Sequence, residues 1–153
     1  MPDARVFKIE NRLAKVVSLP GGKTVAEALS AADQRIASVK DDCIAALDKQ
    51  CGQLAERVAA AKVGGGAVAL DDIYRAADGI FSLAGTFDLD DLGAAAHSLC
   101  DLADHFRQSG EVHWPAIEVH TDGLRLLHLE TDPARRAEIV QGLKAVAAHY
   151  LKS

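Results

Sequence analysis

The chain has 153 residues and a formal net charge of −5 at pH 7. This length suits one domain with a proper core, and we treat residues 1–153 as a single helical domain. An acidic chain without a basic cluster is a poor candidate for binding nucleic acid or an anionic membrane. No apolar run approaches the roughly 18 residues of a membrane span. Because four of the first ten residues are charged, no secretory leader is expected, and we predict a cytoplasmic protein with reduced thiols.

The first helical pattern covers residues 5–17, where apolar residues recur at steps of three and four. It stops at the breaker cluster Leu19-Pro20-Gly21-Gly22. We therefore predict a short N-terminal helix.

A much longer helix should follow. Thr24 is placed to cap it, with Glu27 three residues later as its capping-box partner. The apolar residues then alternate mostly at steps of three and four without a proline: Val25, Leu29, Ala32, Ile36, Val39, Cys43, Leu47, Cys51, Leu54, Val58 and Ala61. The glycines at 64–66 should end this helix. Since a helix of about 38 residues outruns a compact bundle, either the first helix folds back along it or two chains pair along its seam.

Four shorter helices are predicted after the glycines. Asp71 is expected to cap one over about 72–86, and Asp88 to cap the next over about 89–108, which Ser109-Gly110 ends. The signals His113-Trp114-Pro115 and Thr131-Asp132-Pro133 start the last two. The fold class expected is all-α: an antiparallel four-helix bundle extended by the long helix and the short N-terminal helix.

The stretch Ala77 to Phe106 resembles the central hairpin of histidine-phosphotransfer (HPt) domains, the helical relay modules of two-component signalling. Ile80-Phe81-Ser82-Leu83-Ala84-Gly85-Thr86 falls on the HPt pattern A-H-x-L-K-G-S, and Leu92-Gly93-Ala94 falls on its L-G-A corner. Phe81 stands where HPt domains carry the phosphorylated histidine, and Ala84 stands where they carry a lysine. The stretch S-L-A-G-x-F-x-L-x-x-L-G-x-A-A-x-S-L-C-D-L is also similar to the small alphaproteobacterial chemotaxis proteins known as CheE.

This resemblance implies a non-catalytic signalling module, not an enzyme, that binds a response regulator or a histidine kinase without any cofactor. It places the partner on the two hairpin helices, around five residues: Phe81, Ala84, Gly85, Thr86 and His97. A homodimer through the long helix is a further expectation.

Two other hypotheses concern the histidines. His97 is the alternative phosphoacceptor, because Ala96-His97-Ser98-Leu99 imitates A-H-x-L. His97, Asp101 and His105 also lie at i, i+4 and i+8 on one ridge, so a weak alternative is a metal site or a structural bundle. The cysteines Cys43, Cys51 and Cys100 form no C-x-x-C pair and are expected to be small core residues.

Overall fold

The computed structural model describes residues 22–64 and 67–152, and all the regular structure within those ranges is helical. Five helices follow one another: α1 (Val25–Gly64), α2 (Ala67–Thr86), α3 (Asp90–Ser109), α4 (Trp114–Leu129) and α5 (Pro133–Leu151). The all-α fold class predicted from the sequence is thereby confirmed. The predicted helix over residues 5–17 lies outside the described residues.

The chain divides into two compact units between Val39 and Lys40. The described part of the first unit is 22–39, which includes the beginning of α1. The second unit holds the rest of α1 and all of α2 to α5. The single domain expected over residues 1–153 stays a prediction.

Helix α3 lies at the centre of the second unit, where it packs against α2, α4 and α5. It buries ten residues: Leu92, Gly93, Ala95, Ala96, Ser98, Leu99, Cys100, Leu102, Ala103 and Phe106. Small side chains on this face let the neighbouring helices approach closely, and the larger ones fill the space between them. The pairing of α2 with α3 positions the candidate site.

The apolar stripe of α1 is buried only in its second half. Leu47, Cys51, Leu54, Val58 and Ala61 join the core that α2 to α5 form. Upstream of Leu47, no described residue of α1 is buried. The long helix and its apolar periodicity are as predicted, but the core covers only part of that periodicity.

Helix ends were predicted correctly where the capping signal is complete within a few residues. Thr24 and Glu27 form the expected capping box, with the Thr24 amide 2.7 Å from Glu27 Oε2. Gly110 ends α3 in the left-handed conformation, with φ of 74°, and its amide donates to the Phe106 carbonyl. The Asp132 side chain accepts from the Ala134 amide at the start of α5.

Two predicted caps are wrong. Helix α2 begins at Ala67, so Asp71 lies inside it and pairs with Arg75 at 2.7 Å. Helix α3 begins after Leu89, and no side chain caps it. Asp88 instead adopts a positive φ of 56° in the turn between α2 and α3. Aspartate tolerates this region better than most residues, so Asp88 shapes the turn and does not cap the helix.

Arg136 joins three helices near the start of α3. Its Nε lies 2.9 Å from Asp91 Oδ2 on α3, and its Nη1 donates to the carbonyls of Leu127 and Glu130 at the end of α4. Those carbonyls lie past the last intrahelical partner, where a helix needs an outside donor. None of the described helices is both long and apolar enough to cross a membrane.

Candidate functional site

The site is built from one ridge on each of α2 and α3. On α2, Asp71, Tyr74, Asp78 and Phe81 follow one another at steps of three and four, so they lie on one side of the helix. On α3 the facing ridge carries His97, Cys100, Asp101, Asp104 and Arg107. Together these nine residues line a cleft of about 530 Å³, which we call the acidic cleft.

Phe81 and His97 form one end of this cleft. Phe81 is 41% exposed although it is a large apolar side chain. Its ring meets the imidazole of His97 edge to face, with the ring centroids 5.4 Å apart. A contact of this kind holds both rings in place and leaves much of the Phe81 surface open to a partner.

Helices α2 and α3 lie close together beside Phe81. A Cβ placed on Gly93 of α3 would lie 3.7 Å from Ala84 Cβ and 3.9 Å from Phe81 Cδ2. Ala84 is fully buried at this contact. The Phe81 ring therefore lies at the edge of the contact between the two helices, with part of its surface exposed.

Ala84 must accordingly be left out of the partner-binding surface. The resemblance had placed it there, but a side chain with no exposed area cannot contact a docking protein. The other four residues of that set, Phe81, Gly85, Thr86 and His97, are exposed, and we call them the docking face. A Cβ on Gly85 would meet nothing within 4 Å, so the surface beside Phe81 is open there.

Carboxylates dominate the charge of the acidic cleft. Asp71, Asp78, Asp101 and Asp104 line it, against the single guanidinium of Arg107. Arg107 pairs with Asp104, and that hydrogen bond raises the pKa of the arginine further. Among the described residues, Asp78 has no ion-pair partner. The cleft therefore favours cations over anions.

His97 lies against one of these carboxylates. Its Nδ1 is 3.2 Å from Asp101 Oδ2, and both side chains are about half exposed. The carboxylate favours the tautomer that has its proton on Nδ1, which leaves Nε2 as the basic nitrogen. His97 is thus the histidine of this surface best arranged for nucleophilic chemistry.

The metal alternative receives no geometric support. In the described ranges, no three His, Cys, Asp or Glu side chains are grouped so that they could hold a metal ion. His105 does not join His97 and Asp101; its ring instead contacts Phe106, with centroids 5.6 Å apart.

The surroundings of Cys51 and Cys100 make these two thiols unreactive. Burial raises the pKa of Cys51 to about 11, and burial next to Asp78 and Asp101 raises that of Cys100 to about 12. Both cysteines are core residues, as predicted, whereas Cys43 is only half-buried.

Sequence reasoning did not identify the acidic cleft, although part of its signal was present. The spacing of Asp71, Tyr74, Asp78 and Phe81 places them on one ridge. The sequence does not indicate which ridge of α3 faces this ridge of α2, because the facing ridge depends on how the two helices pack. No protein-family model, curated protein or solved structure matches the chain.

Proposed function

We propose that this protein is a non-catalytic HPt-like signalling module that binds a response regulator or a histidine kinase through its docking face. In this proposal α2 to α5 supply an antiparallel four-helix bundle that α1 extends, and the hairpin of α2 and α3 carries the contact. The module acts by competition or sequestration in a chemotaxis or related two-component circuit. It transfers no phosphoryl group at position 81.

The observation that carries this proposal is the exposed aromatic ring of Phe81, held edge-on by His97 at one end of the acidic cleft. Large aromatic side chains that stand partly exposed on a firm support are frequent anchors of protein interfaces. Phe81 is also the residue that the HPt resemblance places at the phosphoacceptor position. A partner that recognises an HPt surface would meet this ring first.

The surroundings of Phe81 favour docking over phosphoryl transfer. A phosphorylated histidine is stabilised by nearby cations, but the groups next to His97 and Phe81 are mainly carboxylates. Such a surface repels a phosphoryl anion and attracts a partner whose contacting residues are basic. Binding should therefore weaken as the salt concentration rises.

An active relay through His97 is the second candidate function, and one observation favours it. His97 is exposed, and its contact with Asp101 leaves Nε2 as the basic nitrogen. In this alternative Nε2 attacks the phosphorus of a phosphoaspartate on the regulator, and the aspartate carboxylate leaves. The product would be an acid-labile phosphohistidine.

One experiment separates the two functions. A response regulator from the same organism is charged with radiolabelled acetyl phosphate, and both complex formation and label transfer are followed. We expect binding without transfer, and a loss of roughly tenfold or more in affinity for Phe81→Ala, as for an interface anchor. Leu126→Ala, which truncates an apolar side chain that is 57% exposed on α4, serves as the matched control and should bind normally.

Other outcomes would lead to different conclusions. Transfer that survives Phe81→Ala but vanishes in His97→Ala would establish the relay instead. Failure to bind any receiver or kinase of the organism would remove the signalling proposal altogether. Circular dichroism of Phe81→Ala should match the unsubstituted protein, because the ring is not part of the core.

A further inference from the structure

Helix α1 carries an exposed apolar stripe in its first half. Four of its large apolar residues are well exposed: Val25 by 75%, Leu29 by 60%, and Ile36 and Val39 by 45% each. With Ala32 they repeat at steps of four, three, four and three, and Cys43 follows four residues later. We call this set, Val25 to Cys43, the outer stripe.

The outer stripe has the spacing of a coiled-coil seam. Val25, Ala32 and Val39 occupy heptad position d, and Leu29, Ile36 and Cys43 occupy position a. The step from Cys43 to Leu47 is four instead of three, which breaks the heptad. Leu47 is also the first buried residue of α1. The protein's own core therefore covers the apolar residues from Leu47 onwards and leaves the outer stripe uncovered.

We propose that a second copy of this chain covers the outer stripe, with the two α1 helices antiparallel and their twofold axis between residues 37 and 38. In this register Ile36 packs opposite Val39 of the second copy. Ala32 packs opposite Cys43 of the second copy. The interface is closed and symmetric, as soluble homodimers usually are.

The charges that flank the outer stripe select this register. Arg35 and Asp42 occupy position g, and Asp33 and Lys40 occupy position e. In an antiparallel pair, g faces g and e faces e, so Arg35 meets Asp42 of the second copy and Asp33 meets Lys40 of the second copy. Symmetry makes each contact twice. None of these four side chains forms an ion pair with another described residue, so all are available for a partner.

A parallel pair is less favourable, because it would place Arg35 beside Lys40 of the second copy on both flanks, and like charges that face each other repel. Residues 5–17, which lie outside the described ranges, are the other candidate cover for the stripe. An antiparallel fold-back with Leu13 opposite Val39 would also pair opposite charges, Arg12 with Asp42 and Glu10 with Lys40. Sedimentation separates the two covers, because a folded-back chain stays monomeric.

Charge reversal tests the proposal in the full chain by sedimentation equilibrium. We expect a dimer whose dissociation constant rises on the order of tenfold in Arg35→Asp, because two attractive contacts become repulsive. The double variant Arg35→Asp/Asp42→Arg should restore the dimer. Arg57→Asp makes the same charge change at an exposed position of α1 outside the stripe and should have little effect. A parallel dimer would instead be strengthened by Arg35→Asp.

Disulfide formation reports the register independently of affinity. In Ala32→Cys the new thiol faces Cys43 of the second copy, so oxidation should yield a covalent dimer, whereas Ala32→Ser should yield none. The raised pKa values of the buried Cys51 and Cys100 keep these thiols out of the reaction. A Cys43–Cys43 disulfide in the unsubstituted protein, or a monomer at every concentration, would overturn the proposal. Neither result would bear on the docking face.

Discussion

Ser98 and His120 form a polar contact inside the core. His120 has no exposed area; its Nδ1 lies 2.8 Å from the Ala116 carbonyl and its Nε2 lies 3.0 Å from Ser98 Oγ. Because a carbonyl only accepts, Nδ1 carries the proton and Nε2 accepts from the serine hydroxyl. The imidazole is therefore held neutral, and burial lowers the pKa of His120 below its usual 6.5.

This histidine should make the protein less stable in mild acid. Below pH 6.5 the unfolded chain binds a proton at His120 that the folded chain does not bind. The free energy of unfolding therefore falls as the pH drops below that value, by up to about 1.4 kcal/mol per pH unit, until the folded-state pKa is reached. Urea denaturation from about pH 7.5 to about pH 5 measures this slope.

The matched comparison for this slope is His120→Leu. Its stability at neutral pH will differ, but its loss of stability between pH 6.5 and 5 should be smaller than that of the unsubstituted protein. Equal slopes in the two proteins would assign the acid sensitivity to other groups.

Substitution by alanine should change the free energy of unfolding in opposite directions at Gly123 and at Gly142. A Cβ on Gly123 of α4 would come within 2.7 Å of Leu143 Cδ1, and Leu143 is only 3% exposed, so it has little room to move. Gly123→Ala should cost about 1–3 kcal/mol. Gly142 of α5 has nothing within 4 Å of such a Cβ, so Gly142→Ala should gain about 0.5–1 kcal/mol from helix propensity. Thermal melts of the two variants should move in opposite directions.

At the scale of single residues, the sequence indicated which helix face a side chain occupies but not what it meets. The buried positions of α3 recur at steps of three and four, as helical periodicity requires. Periodicity also sets Ala84 in the buried row of Ile80 and Phe87. It was the HPt resemblance that placed Ala84 on the partner surface. The Ser98–His120 hydrogen bond joins residues 22 apart in the sequence, and no local pattern signals such a pair.

At the scale of helices, Arg136 is the most consequential polar contact, because it ties the start of α5 to α3 and to the end of α4. Arg136→Ala would leave the carbonyls of Leu127 and Glu130 and the Asp91 carboxylate without this donor. We expect it to lower the free energy of unfolding by about 2 kcal/mol. Arg135→Ala, at a side chain that is 71% exposed, should change it by less than about 0.5 kcal/mol. Similar losses in the two variants would contradict this role.

Helix boundaries were predictable where the signal is complete within a few residues. Thr24 with Glu27, Gly110, and Pro133 behind Asp132 are such signals, and all three behave as expected. The prediction that Asp71 caps α2 was wrong because α2 begins upstream at Ala67, and Leu70 in this first turn is buried in the core. Tertiary burial outweighed a local capping preference there.

At the scale of the whole molecule, every buried residue in the described ranges lies between Leu47 and Ala147. We therefore expect a chain shortened to residues 40–153 to fold and to melt cooperatively, within a few degrees of the full chain. Circular dichroism against temperature measures this. The shortened chain should also be monomeric, since it lacks most of the outer stripe. A non-cooperative melt would show that residues 1–39 contribute to the core.

The change in the apolar stripe at Leu47 has a consequence for how freely this sequence can vary. In a library that carries every substitution at each position of α1, the fraction of substitutions that allow folding should fall abruptly at Leu47. Before that residue, polar replacements at Leu29 or Ile36 should leave expression and folding intact and reduce self-association alone. After it, the same replacements at Leu54 or Val58 should remove folded protein from the cell. Selection for abundance and selection for assembly would thus act on separate segments of one continuous helix.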